Sequence, residues 1–406
     1  MSVAPGRNTA VIVDAIRTPI GKYGGVLKDI RPDDMSAYVL TKLVERTKLD
    51  PQLVEDVLWG CANQAGEDNR NVGRMAVLLA GFPQSVPATT INRLCGSSMD
   101  AIHQATRAVW SGDYEVVIAG GVESMTRAPY AVPKNVSGQA LFGNMTAYDT
   151  ALGWRFPNPK MEKLIPLESM GETAENIAER WKVSRKDQDE FALRSHQLSV
   201  KAQNSGVWRD EIVPVEIPQK KGDPTWVMKD EGPRSDTSLE KLSALQPAFR
   251  SGGTVTAGNS SSLNDGASAV IIMSDTKAKE LGYKPLVRII STGVSGVDPR
   301  YMGIGPVPAM NLALKKAGLT IKDIGLIELN EAFAAQSLAV IRDLGIKLDI
   351  LNVNGGAIAL GHPLGCSGAR IMTSLAHEMK RRGTHRGVAT MCIGVGQGIA
   401  TVVELP

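Results

Sequence analysis

An α/β fold is what this sequence predicts, and three observations predict it. Short apolar runs of strand length alternate with longer amphipathic stretches of helical period. The two ends of the chain echo each other: Val44, Leu49, Val54, Val57 and Trp59 match Leu314, Leu319, Ile324, Ile327 and Leu329 at a constant offset of 270 (319 minus 49, 329 minus 59). The 406 residues are 43% hydrophobic and 21% charged, enough for two or three globular domains.

In chain order, strands are predicted over 9–13, 57–60, 115–119, 270–273, 326–329, 387–393 and 399–404. Helices are predicted over 35–46, 97–110, 173–181, 185–203, 309–317, 332–343 and 368–381. A second echo pairs Cys95-Gly96-Ser97-Ser98, a helix and the run 116–121 with Cys366-Ser367-Gly368, a helix and the run 388–394. Helix–strand units recur by chance in α/β chains, so the echoes support an internal duplication without requiring one. Residues 125–252 break the pattern with Pro, Gly and polar residues around embedded helices. An excursion this long is seldom passive loop, and a substrate-covering subdomain is the favoured reading over a decorative insertion.

Composition excludes several classes of function. The formal net charge is +3 without long same-sign blocks, so solvated faces outweigh a nucleic-acid surface. Four cysteines at 61, 95, 366 and 392 form no CxxC pair, and with five scattered histidines they give no zinc spacing. Neither a disulfide scaffold nor a metal site is expected, and reduced thiols fit a cytoplasmic-type compartment. The first residues lack a leader-peptide pattern, and no apolar stretch is long enough to span a bilayer.

Four segments can carry chemistry. Cys95 stands where an apolar segment meets Gly96 and a helix start, whose free N–H groups and dipole favour a thiolate. A small buried cysteine is an equally good reading of that segment alone. His362 lies among Gly361, Pro363 and Gly365, a setting that presents an imidazole to a pocket. Cys392 ends a strand-like run and opens the series Gly394, Gly396, Gly398. A dinucleotide fingerprint is excluded there, because a strand follows and no helix does. Such a turn offers backbone N–H groups to an oxyanion instead. Asn330, read alone, is best taken as a cap for the helix that follows it.

Together, Cys95-Gly96-Ser97-Ser98, the segments 330–334 and 361–368, and the series 392–398 resemble the thiolase family, with the motifs in the same order. The likeness runs over nearly the whole chain, including Arg17-Thr18-Pro19 and the segments 121–125, 170–176 and 254–259. It implies the thiolase fold, two similar βαβαβαββ halves in a layered α-β-α-β-α core with a covering loop subdomain. The implied division is 1–124 with 253–280 for the first half, 125–252 for the covering subdomain and 281–406 for the second half.

The resemblance also implies roles. Cys95 matches the acylated nucleophile, and Cys392 the acid/base that moves the acetyl-methyl or CoA proton. His362 matches the residue that activates the nucleophile and binds the thioester oxygen, and Asn330 the one that holds a water beside it. The N–H groups of Cys95 and Gly394 match a second oxyanion hole. Arg234 and Ser261 fall where the family contacts CoA, and Met170 in the loop lining the acyl pocket. CoA is implied as co-substrate, with no tightly bound cofactor, and the protein as a homodimer or homotetramer in the cytoplasm.

Two departures bear on substrate. Ser169 replaces a His that short-chain biosynthetic members commonly carry, and Ser262 replaces a Gly. The segments 148–156 and 302–308 look like those of degradative thiolases of fatty acid β-oxidation and, notably, aromatic catabolism, where the substrate is 3-oxoadipyl-CoA. Arg155 can face a distal carboxylate there or pair with protein. The rivals are a biosynthetic acetoacetyl-CoA thiolase, a condensing synthase of the same fold, which Cys392 speaks against, and a non-catalytic acyl-CoA or lipid-binding homologue.

Overall fold

The computed structural model describes residues 8–134 and 144–406. Residues 1–7, on which the leader-peptide reading rests in part, and 135–143, inside the predicted excursion, lie outside the described residues.

Nine strands run along one mixed sheet path: β1 (Ala10–Arg17), β2 (Asp56–Gly60), β3 (Ala88–Ile91), β4 (Val116–Ser124), β5 (Asn264–Ser274), β6 (Val287–Gly296), β7 (Leu326–Leu329), β8 (Arg386–Ile393) and β9 (Gln397–Glu404). Their spatial order is β7-β8-β9-β6-β1-β5-β4-β2-β3, with Gly21–Lys22 pairing β5 off this path. The path divides into two equivalent runs. In β2-β4-β5-β1 the successive pairings are parallel, antiparallel and antiparallel, and β7-β8-β9-β6 repeats that sequence. The runs meet where β1 pairs β6 through Val11 and Ile12. The echo in the sequence is therefore an echo in topology.

Layering follows from period-2 alternation in strands covered on both faces. In β4, Val117 and Ala119 enter a central core while Val116, Ile118 and Val122 enter an outer one. In β8, Ala389, Met391 and Ile393 join the same central core, whereas Val388 faces a third. The central core holds two helices, α3 (Ser97–Ser111) and α8 (Leu364–Arg382), packed against each other between the sheet halves. Helices α1 (Pro32–Thr47) and α2 (Val72–Leu79) cover one outer face, and α6 (Pro306–Ala317) and α7 (Ala334–Leu344) the other. Burying each Val, Ile or Leu in these layers is worth about 1.5–3 kcal/mol. A Cβ on Gly368 of α8 would overlap the backbone of Met99, so glycine there permits the close crossing of the two inner helices.

Between β4 and β5 the chain leaves the sheet for residues 125–263. This excursion contains α4 (Met170–Arg180), α5 (Arg185–Ser205), two small hairpins and short helices. Helices α4 and α5 pack on α7 of the second half. Between β8 and β9, the equivalent pair, the connection is only 394–396.

Candidate active site

Four chain segments deliver the predicted residues to the carboxyl ends of the strands. Cys95 follows β3 in a tight turn before α3, whose N-cap position is Gly96. The turn is held from inside: Ser97 Oγ donates to Leu94 O at 2.6 Å, and Asn92 Oδ1 accepts from Leu94 N–H at 2.9 Å. Leu94 is thereby kept at φ 48°, a left-handed conformation costly for a branched residue. Cys392 is the penultimate residue of β8, opposite Gly398, and the following turn holds Val395 at φ 61°. A β-branched residue in that region is a genuine outlier. Both cysteine turns store backbone strain, and Arg93 Nη1 ties them together by donating to Gln397 Oε1 at 2.9 Å.

Both turns present amides to sulfur. The N–H groups of Gly394 and of Cys95 itself face the Cys95 sulfur, two donors side by side as an oxyanion would need them. Cys95 is partly exposed at the edge of a cavity of about 260 Å³ that Leu94, Met170, Trp154, Arg155, Glu123 and Gly394 help to line. Cys392 is buried among Phe333, Met302 and Ala332, with Met170 packed against that cluster.

His362 sits after Gly361, whose φ of 105° suits glycine and where a Cβ would run into the Asn264 side chain. Asn264 Oδ1 accepts the His362 backbone N–H at 3.0 Å. The imidazole Nδ1 lies 2.6 Å from Ser367 Oγ, and that hydroxyl donates to Pro363 O at 2.8 Å. A hydroxyl has one proton, so Nδ1 carries the N–H and Nε2 is left as the free base. Nε2 lies 3.4 Å from Asn330 Nδ2. Asn330 does not cap the next helix: the N-cap of α7 is Phe333, and the Asn330 side chain is turned to His362 instead. Its Oδ1 is buried without a partner among the described residues, an acceptor open to a water.

The electrostatics correct one expectation. The helix-start setting argues for a lowered Cys95 pKa, but burial pushes the thiol up to about 11 against the Gly394 and Cys95 amides. Burial also raises the Cys392 thiol, with Cys95 adding to the effect. Burial, and then the Arg370 guanidinium, lower His362 to about 3. These shifts favour two thiols and a neutral imidazole near neutral pH, so a reaction at Cys95 would need a base rather than a preformed thiolate.

The remaining predicted residues lie on the excursion and its return. Met170 opens α4, capped by Ser169 Oγ accepting Glu172 N–H at 3.3 Å. Arg234 is exposed in a groove that Lys22, His196 and Lys241 also line, and its N–H donates to His196 Nδ1 at 3.3 Å. Ser260 and Ser262 line the same groove, and Ser261 N–H donates to Ala332 O at 2.9 Å. Arg155 donates to Thr150 O at 2.8 Å and to Asn63 O at 3.2 Å, and no carboxylate pairs with it among the described residues. Cys61, Asp68 and Glu123 lie close enough to hold a metal ion, but both Glu123 oxygens already accept backbone N–H groups. Sequence reasoning gave no part to Glu123, Ser367, Asn264 or Asn63. Glu123 and Ser367 carried a signal, their places in the 121–125 and 361–368 segments, and Asn264 and Asn63 carried none.

Two family models match the chain: "Thiolase, N-terminal domain" over residues 10–276 and "Thiolase, C-terminal domain" over residues 283–405. Among curated proteins, the 3-oxoadipyl-CoA/3-oxo-5,6-dehydrosuberyl-CoA thiolase of Escherichia coli (strain K12) is 54% identical over 398 residues, covering 97% of this chain and 99% of that protein. The β-ketoadipyl-CoA thiolase of Pseudomonas putida is 52% identical over 396 residues, covering 97% and 98%. Among solved structures, an acetyl-CoA acetyltransferase of Bacillus anthracis superposes with a TM-score of 0.93 at 44% identity, covering 99% of this chain and 100% of that one. Human mitochondrial 3-ketoacyl-CoA thiolase in complex with CoA gives a TM-score of 0.92 at 43% identity, covering 98% of each chain.

Proposed function

The chain belongs to the thiolase family and is an acyltransferase of CoA thioesters, and on that premise we propose a residue-level mechanism and a substrate class. Cys95 is the nucleophile. Its proton passes to His362 Nε2 as sulfur attacks the 3-keto carbon, and the alkoxide settles against the Cys95 and Gly394 amides. Collapse breaks the bond between carbons 2 and 3. The enolate oxygen of the departing acetyl-CoA is met by the Nε2–H of His362 and by a water on Asn330. Cys392 gives its proton to carbon 2, and its thiolate then takes the proton of incoming CoA. The CoA thiolate attacks the acyl-Cys95 carbonyl, and the Cys95 sulfur leaves and recovers its proton from His362. Every proton is returned.

The substrate is a 3-ketoacyl-CoA with a carboxylate at its far end, 3-oxoadipyl-CoA or a close analogue. One observation carries this: Arg155 lines the cavity beside Cys95 and donates its hydrogen bonds to carbonyl oxygens, so among the described residues no carboxylate pairs its charge. The two curated relatives above act on substrates of that name. CoA reaches the site along the groove of Arg234, Lys22 and Lys241, with Ser261 between the groove-lining Ser260 and Ser262 and Met170 at the acyl pocket. A homodimer or homotetramer in the cytoplasm completes the reading: β3 ends the sheet with an open edge, and Met75, Leu78 and Leu79 of α2 beside it are exposed. Among the described residues, no helix is long and apolar enough to cross a membrane.

The test is Arg155→Met. A hydrogen bond to a charged group is worth about 1.5–3 kcal/mol, so kcat/KM for 3-oxoadipyl-CoA should fall roughly ten- to hundredfold. That for acetoacetyl-CoA should hold within about threefold. Equal losses on both substrates would remove the dicarboxylate assignment.

A further inference from the structure

Glu123 is a buried titratable group next to the site for which the mechanism above has no use. It is the penultimate residue of β4, with 1% of its surface exposed, and it borders the cavity beside Cys95. Its carboxylate receives three backbone donors from two distant segments. Ala62 N–H reaches Oε2 at 3.0 Å and Asn63 N–H reaches Oε1 at 3.2 Å. Gly365 N–H reaches Oε2 at 2.8 Å.

Each segment leads to a functional end. Gly365 lies in the first turn of α8, where the N-cap residue is Pro363, which has no side-chain acceptor. A carboxylate from another strand supplies the missing cap and meets the positive end of the helix dipole. The same turn carries Ser367, whose hydroxyl fixes the His362 tautomer. On the other side, Asn63 O accepts from the Arg155 guanidinium, and Asn63 Nδ2 donates to Thr150 Oγ1 at 3.4 Å beside the second Arg155 carbonyl.

We propose that Glu123 is a positioning residue for the reaction, one carboxylate that caps the helix behind His362 and pins the wall that aims Arg155. It sets the span between the general base and the far end of the acyl chain. The Arg155 half rests on the dicarboxylate reading above, while the His362 half does not. Packing alone does not explain the arrangement, because three N–H donors converge on one side chain that a neutral isostere cannot match. Glutamine in this place turns an amide N–H₂ towards at least one of those donors.

The experiment uses Glu123→Gln in the full chain, alone and with Arg155→Met, with rates normalised to the number of acylatable Cys95 sites. Acetoacetyl-CoA, which lacks a distal carboxylate, reads the His362 half: kcat should fall about tenfold or more. With 3-oxoadipyl-CoA, KM should rise by about another tenfold, and that rise should vanish in the Arg155→Met background. Unchanged kcat with acetoacetyl-CoA, or a KM rise that persists without Arg155, overturns the proposal. If Arg155→Met alone fails to discriminate the substrates, the dicarboxylate reading falls and the acetoacetyl-CoA arm still decides the cap. Should Glu123→Gln not fold, hydrogen exchange on the unaltered protein takes its place. The amides of Ala62, Asn63 and Gly365 should open as one unit at similar rates. A Gly365 amide about a hundredfold faster than the other two overturns the shared anchor.

Discussion

The two halves of the sheet build the same pair of antiparallel strands and connect it in opposite ways. Between β8 and β9 the chain needs only 394–396, a turn so tight that Val395 is forced to φ 61°. Between β4 and β5, at the equivalent place, it spends residues 125–263. The short turn follows Cys392 and contributes the Gly394 amide, while the long excursion contributes Met170, Arg155 and Arg234. One copy of the motif is short, beside the cysteine that the proposed function makes a proton donor and whose placement would then matter. The other copy carries the surface that the proposed function assigns to the acyl chain and CoA, where variation would change the substrate without disturbing the base.

If that contrast is real, the largest effects belong to the rigid end and divide by step. Cys95→Ser should depress acylation and condensation together. Cys392→Ser should still acylate slowly from acetyl-CoA, because attack on a thioester does not need the methyl proton removed. Its condensation rate and its exchange of deuterium into the acetyl methyl group should fall much further, by about a hundred- to ten-thousandfold. Measuring acylation, exchange and condensation on both variants decides it, and equal losses in all three for Cys392→Ser would erase the division of labour.

A smaller effect concerns the thiol that the helix start fails to acidify. Cys95 is pushed up to about 11, so it stays protonated at neutral pH and ionises only as pH rises towards that value. Alkylation of the free enzyme by iodoacetamide should climb about tenfold per pH unit from 7 to 10 without a plateau. A plateau near neutrality would show a thiolate already formed and would restore the sequence-based view.

That view erred for a definable reason. The sequence shows Cys95 at the start of a helix, but not its burial against a core that includes Ile393 and Ile399, far away in the chain. The fold was more legible. Every predicted strand and helix lies on or beside an observed element, because strands buried on both faces leave long apolar runs. β3 escaped notice because Ala88–Ile91 is four residues with two threonines, β6 because Ser291, Thr292 and Gly293 interrupt its apolar run, and α2 because it is a short helix with an exposed apolar face. Of the site, the motifs marked Cys95, His362, Asn330, Cys392 and Gly394, whereas Glu123 and Asn63 act through backbone partners that no spacing rule encodes.

The smallest expected effect tests the internal echo itself. The second echo in the sequence sets Cys366 opposite Cys95, and a true equivalence would give both a part in the chemistry. The structure displaces them. Cys95 precedes the N-cap of α3 and reaches the cavity, while Cys366 lies inside the first turn of α8, fully buried, its N–H bonded to Pro363 O at 3.1 Å. Burial raises its thiol to about 12, so it neither attacks nor exchanges protons near neutral pH. Cys366→Ala therefore removes one sulfur from a packed layer and should cost about 1 kcal/mol of stability, seen as a modest drop in Tm. Turnover per folded site should stay within about twofold of the parent. A loss above about a hundredfold, the scale of a missing catalytic group, would mean that the two halves share more than their topology.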